Sequence, residues 1–303
     1  MTREELNKEI SQKLSEEHNE ETKKRIIKTT IKTIFILVLI FTLFFTYTTY
    51  IATAKVGVRE YRVTNSKIPD SFNGIKVIQF SDLHYGTTIT DKEFKKIVEL
   101  INERKPDLVL FTGDLIMKDY KMRPKEQEKL INNLKNISST LGKYFILGDE
   151  DGDLAVTILN QGDFIPLKDE HDLIYADKNN PILLVGVNSM KKEQNIEKAY
   201  SYFKDATHND NIYTISMLHE ADITDDILDS YKSDLLVAGH SHNGNVRIPF
   251  TNRSIFKSEG SRKYDQDYYH VKDSELYVSS GLGSYGMRFF CRPSINFFRL
   301  SNK

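Results

Sequence analysis

The stretch Lys76-Val-Ile-Gln-Phe-Ser-Asp-Leu-His-Tyr-Gly86 decides the fold. Its apolar run Val77–Phe80 reads as a buried strand, and Asp82 and His84 fall on the turn that leaves it. An extended backbone sends residues i and i+2 to one side, so both side chains point at one object. A hard carboxylate beside an imidazole suits Zn, Mn or Fe. Asp-x-His is also an ordinary polar strand end, so its weight depends on what the rest of the chain brings to it.

Outward from this stretch, strand-like and helical runs alternate. The segment Asp91–Glu103 sets Phe94, Ile97, Val98 and Ile101 on one helical face. Lys105-Pro-Asp closes it and opens the strand Leu108–Phe111, and a second helix is expected from Lys125 to Leu141. Further strands are expected at Tyr144–Leu147, Ile182–Val185, Ile212–Leu218, Leu235–Ala238 and Leu276–Val278. Several are continuous apolar runs, as strands are when both sheet faces are covered. The pattern gives an α/β or α+β layered domain over residues 70–303.

Chemistry-bearing residues follow the strand ends, where layered α/β folds place ligands. Leu108–Phe111 exits into Thr112-Gly-Asp114, and Tyr144–Leu147 into Gly148-Asp-Glu-Asp151. Ile212–Leu218 exits into His219-Glu220, and Leu235–Ala238 into Gly239-His-Ser-His242. Each alone reads as a polar loop with a turning glycine; together they make a cluster of acids and imidazoles, and the paired histidines on a glycine turn read as metal ligands.

The remaining composition bounds the function. The net charge of −1 gives no global sign of a nucleic-acid partner. A single cysteine, Cys291, excludes an internal disulfide and any thiolate zinc site. From Thr33 to Ala54 no residue is charged, and roughly 20 apolar residues suffice to span a bilayer as a helix. Tyr47 and Tyr50 stand at its far end, where aromatic rings favour the interface. Lys23, Lys24, Arg25, Lys28 and Lys32 precede the span, whereas Lys55 and Arg59 follow it. The positive-inside tendency places residues 1–32 in the cytoplasm and the main domain outside a single-pass cell-membrane anchor at 33–54, joined by a linker at 55–69. Ala52-Thr-Ala54 also matches a signal-peptidase site, so cleavage is the alternative to an uncleaved signal anchor. Leu6, Ile10 and Leu14 permit a thin amphipathic helix in the charged segment.

Ser-Asp82-Leu-His84, Thr-Gly-Asp114, Gly148-Asp-Glu-Asp151, His219 and Gly-His240-Ser-His242 resemble the calcineurin-like metallophosphoesterase superfamily, in its bacterial membrane-anchored branch. Lys105-Pro-Asp-Leu-Val, Asn243-Gly-Asn-Val-Arg-Ile-Pro249, Ser280-Gly-Leu-Gly283, Arg288 and Pro293 fit the same likeness, which covers Ile68 to Leu300. It implies a β-sandwich of two mixed sheets flanked by helices, with the site on loops at one edge. It also implies two divalent ions (Mn, Fe, Zn or Co), one held by Asp82, His84, Asp114 and His242. The other is held by Asp114, Asp149, His219 and His240. Asp114, His84 and Glu150 make the implied catalytic set. Asp114 bridges ions about 3.5–4 Å apart, the spacing used for in-line displacement at phosphorus. The implied activity is hydrolysis of a phosphodiester or pyrophosphate by metal-activated water, on a phosphorylated small molecule or a lipid-linked envelope substrate.

Gly148-Asp149-Glu150-Asp151 departs from the family's Gly-Asn-His-Asp. Asp149 keeps an oxygen ligand and adds charge. Glu150 replaces a histidine that lies near the phosphate, and it donates a proton only if its pKa is raised. A degenerate member that binds metal and a phosphorylated ligand with little turnover is therefore the alternative. Tyr268, Tyr269, Tyr285, Phe289 and Phe290 read either as an apolar wall near the site or as core. His171, His208 and His270 match no motif and read as surface residues.

Overall fold

The computed structural model describes residues 2–53, 55–209, 211–251, 253–283 and 286–303, in two units, Met1–Ile51 and Ala52–Lys303. The first unit is dominated by α1 (Arg3–Thr46), opened by a capping box. Thr2 Oγ1 accepts the Glu5 N–H at 3.3 Å, and Glu5 accepts the Thr2 N–H at 2.8 Å. Among the described residues it is the one helix long and apolar enough to cross a membrane. The expected division at residue 32 is no break in the backbone: one helix carries both the charged and the apolar part. Glu, Lys and Leu are all good helix formers, so polarity changes along it while conformation does not. The side chain of Tyr50, and Ala54 of the signal-peptidase match, lie outside the described residues.

In the second unit, alternate residues of the central strands enter different cores. One mixed sheet has the order β1 (Gly57–Thr64), β12 (Ser294–Ser301), β2 (Lys76–Phe80), β3 (Leu108–Phe111), β4 (Gly142–Phe145), β5 (Ile165–Pro166). The other runs β10 (Tyr268–Val271), β11 (Ser274–Val278), β9 (Leu235–Ala238), β8 (Thr214–Met217), β7 (Ile182–Gly186), β6 (Glu170–Ile174). Val77, Leu108 and Leu110 share a core with Ile182, Leu184, Leu235 and Val237, between the two sheets. Their neighbours Ile78, Val109 and Phe111 face α2 (Asp91–Glu103), α3 (Pro124–Lys135) and α4 (Asp153–Gln161). Leu183, Val185, Leu236 and Ala238 pack on the opposite outer face, under α5 (Ile196–Ala199) and α6 (Thr224–Ser230). This period-two division makes the strands apolar on both faces. The expected sandwich of two mixed sheets flanked by helices is the observed fold.

Three expectations shift. Residues 55–69 are not a linker: β1 pairs in parallel with β12 along its whole length, Gly57 opposite Ser294 through Thr64 opposite Ser301. β1 is an edge strand carrying Arg59, Glu60 and Arg62, which masks its pattern while guarding the edge. The helix expected to reach Leu141 ends at Lys135, because the Thr140 and Leu141 N–H groups bond Asp107 O at 3.1 and 2.7 Å. The strand expected at Tyr144–Leu147 is β4, two residues earlier. β2, β3 and β4 run parallel, as do β7, β8 and β9, so each set delivers its exits to one edge of its sheet.

Candidate metal centre

The strand exits turn through unusual backbone. Asp82, His84, Asp114, His240 and His242 have φ of 52°, 44°, 63°, 60° and 46°. Such left-handed residues cost on the order of 1–3 kcal/mol each and persist only where the surroundings fix them. Asp82 and His84 therefore converge through a left-handed turn, not through the extended alternation expected from their spacing. Backbone bonds hold that turn: the Asp82 N–H to Gly113 O at 2.9 Å and the Leu83 N–H to Asp114 O at 2.8 Å.

These turns gather all seven expected ligand residues into two groups. Asp82, His84 and His242 form one, and Asp114, Asp149, His219 and His240 the other, with ligand atoms in each within 4.8 Å of one another. Asp114 joins them. Its Oδ2 lies 3.8 Å from His84 Nε2 in the first group and 3.5 Å from His219 Nε2 in the second. His242 Nε2 lies 3.6 Å from Asp82 Oδ1. These separations exceed a hydrogen bond and fall in the range open to two ligands each about 2.1 Å from a shared cation. Carboxylates and imidazoles without thiolate form a hard-to-intermediate donor set, so the residues fit divalent ions.

The imidazoles are aimed by backbone carbonyls. His219 Nδ1 donates to Thr112 O at 2.7 Å, His242 Nδ1 to Gly283 O at 3.1 Å, and His240 Nε2 to Glu259 O at 2.9 Å. These contacts hold the outward nitrogens and turn the inward ones toward the carboxylates, the orientation that metal-ligating histidines require. Fully buried Arg288 stands behind His242, with Nη2 3.2 Å from its Nδ1. Burial and then the Arg288 charge hold the His242 imidazole well below its ordinary pKa, in the neutral form that ligates. Burial lowers His219 too, but the Asp114 and Asp149 carboxylates outweigh it and hold that pKa well above its ordinary value. Burial raises Asp149, but bonds from His219, His240 and Lys191 keep it far below the usual carboxylate range.

Close approach explains Gly113, at φ 95°: a Cβ there would lie 2.7 Å from His219 Nδ1 and 2.5 Å from Gly148 N. Glu150 serves the site first through its backbone, whose N–H donates to Asp114 Oδ1 at 3.0 Å. Its carboxylate accepts the Lys118 N–H at 3.0 Å. A cleft of about 450 Å³ opens over the cluster, lined by Asp114, Asp149, Glu150, His240 and His242 and by apolar Val246, Phe256 and Met287.

Of the aromatics read either as an apolar wall or as core, the described ones, Tyr268, Tyr269, Phe289 and Phe290, are not in that lining. Tyr268 packs on Tyr277, and the Tyr269 hydroxyl accepts the Asp265 and Gln266 N–H groups. Phe289 and Phe290 pack on each other, and Tyr285 lies outside the described residues. His208 and His270 are exposed and His171 is half-buried, away from the cluster. Sequence reading missed Lys191, whose Nζ lies 2.8 Å from Asp149 Oδ2. The available signal was topological: β7 runs beside β8, so its exit reaches the same edge as His219.

The profile of the calcineurin-like phosphoesterase family matches residues 75–244. A metallophosphoesterase of Bacillus subtilis, YkuE, is 27% identical over 264 residues, covering 84% of this chain and 89% of that one. The phosphodiesterase YaeI of Escherichia coli is 24% identical, covering 76% of this chain and 84% of its own. The UDP-2,3-diacylglucosamine pyrophosphatase LpxG of Chlamydia muridarum is 25% identical, covering 77% and 86%. The chain spans a smaller share, 64% and 60%, of metallophosphoesterases from Campylobacter jejuni and Helicobacter pylori.

Proposed function

The chain belongs to the calcineurin-like phosphoesterase family, and from that premise we propose that it is a membrane-anchored phosphoesterase with a dinuclear metal site, hydrolysing a phosphodiester or pyrophosphate. The observation that carries this reading is Asp114 Oδ2, set between His84 and His219 so that one carboxylate serves both ligand groups. Asp82, His84 and His242 would hold one ion, and Asp149, His219 and His240 the other, with Asp114 shared. Two divalent cations so held supply Lewis acidity at phosphoryl oxygens and lower the pKa of water.

The chain's own residues prepare the rest. The Thr112, Gly283 and Glu259 carbonyls fix the imidazole orientations before any ligand arrives, so little reorganisation accompanies the reaction. The Glu150 N–H holds Asp114 Oδ1, leaving Oδ2 for the cations. Glu150 also stands on the wall of the cleft that a phosphate ester would enter. Val246, Phe256 and Met287 give the cleft an apolar lining beside the ligands, which suits a substrate with a lipid-linked or acyl portion. The likeness to a UDP-2,3-diacylglucosamine pyrophosphatase favours the same class.

The apolar helix anchors the protein in the cell membrane, with the charged N-terminal segment cytoplasmic and the phosphoesterase domain outside. The cluster Lys23, Lys24, Arg25, Lys28 and Lys32 ahead of the span supports that orientation.

The test is metal content of the full-length protein in detergent micelles, then hydrolysis of bis-p-nitrophenyl phosphate with added Mn, beside an Asp114→Asn control. About two metals per chain, with hydrolysis that the control loses, is the expected result. Metal uptake without hydrolysis above the control would replace the enzyme by a metal- and phosphate-binding module. No uptake at all would remove both readings.

A further inference from the structure

We propose that Lys191 is a positioning residue of the metal centre, its ammonium balancing one oxygen of Asp149 so that the pair acts as a charge-neutral oxygen ligand. The inference rests on the dinuclear reading above and concerns how that site sets its charge. The two oxygens of Asp149 have different partners. Oδ1 lies 3.1 Å from His219 Nε2 and 3.1 Å from His240 Nδ1, inside the ligand group. Oδ2 lies 2.8 Å from Lys191 Nζ. One oxygen thus faces the ion position and the other is covered by a cation of the chain.

The loop bearing Lys191 is fastened for this contact. Ser189 Oγ donates to Glu220 Oε1 at 2.5 Å, and the Met190 N–H to Glu220 Oε2 at 2.9 Å. The Lys191 N–H bonds Ser189 Oγ at 3.2 Å, and the Ser189 N–H bonds Leu147 O at 3.0 Å. Glu220 is buried and directly follows His219, while Leu147 directly precedes the Gly148-Asp149 turn. The lysine is therefore anchored to the same two exits that carry the ligands it serves.

Fold stability does not explain the pair. The Lys191 side chain is 49% exposed, and such ion pairs contribute about 0–1 kcal/mol. Its effect is on local charge. Asp82, Asp114 and Asp149 crowd one edge of the protein with Glu150 beside them, and the substrate of a phosphoesterase is itself an anion. A cation on Asp149 Oδ2 weakens the pull of that carboxylate on metal and strengthens the site's attraction for phosphate. Removing the lysine alone should reverse both effects. Removing both charges should restore both.

The experiment is a double-substitution cycle in the full-length protein in detergent micelles. Lys191→Met, Lys191→Arg, Asp149→Asn and the Asp149→Asn/Lys191→Met pair are compared by calorimetric Mn titration and by KM and kcat for bis-p-nitrophenyl phosphate. Lys191→Met should bind Mn roughly tenfold more tightly and raise KM roughly tenfold, as expected for one unit charge at short range in a partly screened site. Lys191→Arg keeps the charge and should stay near wild type on both readouts. Asp149→Asn should weaken Mn binding, and the pair should return both quantities close to wild type. A pair no closer to wild type than Asp149→Asn alone, or a Lys191→Met protein unchanged in Mn affinity, would overturn the proposal while leaving the phosphoesterase intact. Wild-type protein that takes up no Mn would overturn both.

Discussion

The carboxylate of Asp151 accepts the backbone N–H of Asp114 at 2.8 Å, joining the exits of β3 and β4 across 37 residues of chain. It also accepts the Leu115 N–H at 2.8 Å and the Gly148 N–H at 3.0 Å. One buried acid thus holds both ligand-bearing turns without touching the cleft. Asn at this position would set an NH₂ group against at least one of those N–H donors. A buried N–H donor left without its acceptor costs about 1–3 kcal/mol. Asp151→Asn should melt several degrees lower than wild type and take up Mn more weakly. An unchanged melting temperature would show that the turns are held by something else.

Gly113 permits a contact that no side chain would allow. Ala there would combine a left-handed φ of 95° with a Cβ 2.7 Å from His219 Nδ1, displacing the imidazole from its Thr112 anchor. The same Cβ would lie 2.5 Å from Gly148 N, so Gly113→Ala should melt several degrees lower and lose most of its bound metal by elemental analysis. Full metal content in this variant would mean that His219 is not held by that anchor.

Phe298 lies at the centre of the sandwich. It is fully buried, with its ring 5.0 Å from Tyr277 and 5.5 Å from Tyr61. Phe→Ala in such a core typically costs about 3–5 kcal/mol. Phe298→Ala should show that loss in denaturant unfolding, with the unfolding slope unchanged. A loss under 1 kcal/mol would place β12 outside the cooperative core.

Much of this was legible in the sequence, for identifiable reasons. Helix Asp91–Glu103 and strand Leu108–Phe111 match their expected bounds, because each buries a face whose residues recur at that element's own period. The seven ligand residues were legible because each follows a glycine or an apolar strand end, in an order that one family shares. β1 was not legible: its partner lies more than 200 residues away, and its charges answer an edge position that no local pattern encodes. Lys191 was not legible either. A lysine in a polar loop looks like solubility until the neighbouring strand shows which edge that loop reaches.

Glu150 gives the sharpest test of the chemistry. Glu150 lines the cleft beside Asp114 and Asp149, and its carboxylate accepts the Lys118 N–H. An ionised Glu150 repels phosphate oxygens and cannot protonate a leaving group, whereas a histidine can do the latter. General acid catalysis is worth about 10²–10⁴-fold where the leaving group needs a proton. A p-nitrophenolate leaves without one, so Glu150→His should cleave bis-p-nitrophenyl phosphate at a rate close to wild type or above it. On an alkyl phosphodiester, whose alkoxide must be protonated, the same variant should gain at least tenfold over wild type. The ratio of the two rates isolates the acid step from metal binding, which affects both esters alike. A variant that instead loses alkyl-ester cleavage while keeping the nitrophenyl activity would identify Glu150 itself as the proton donor.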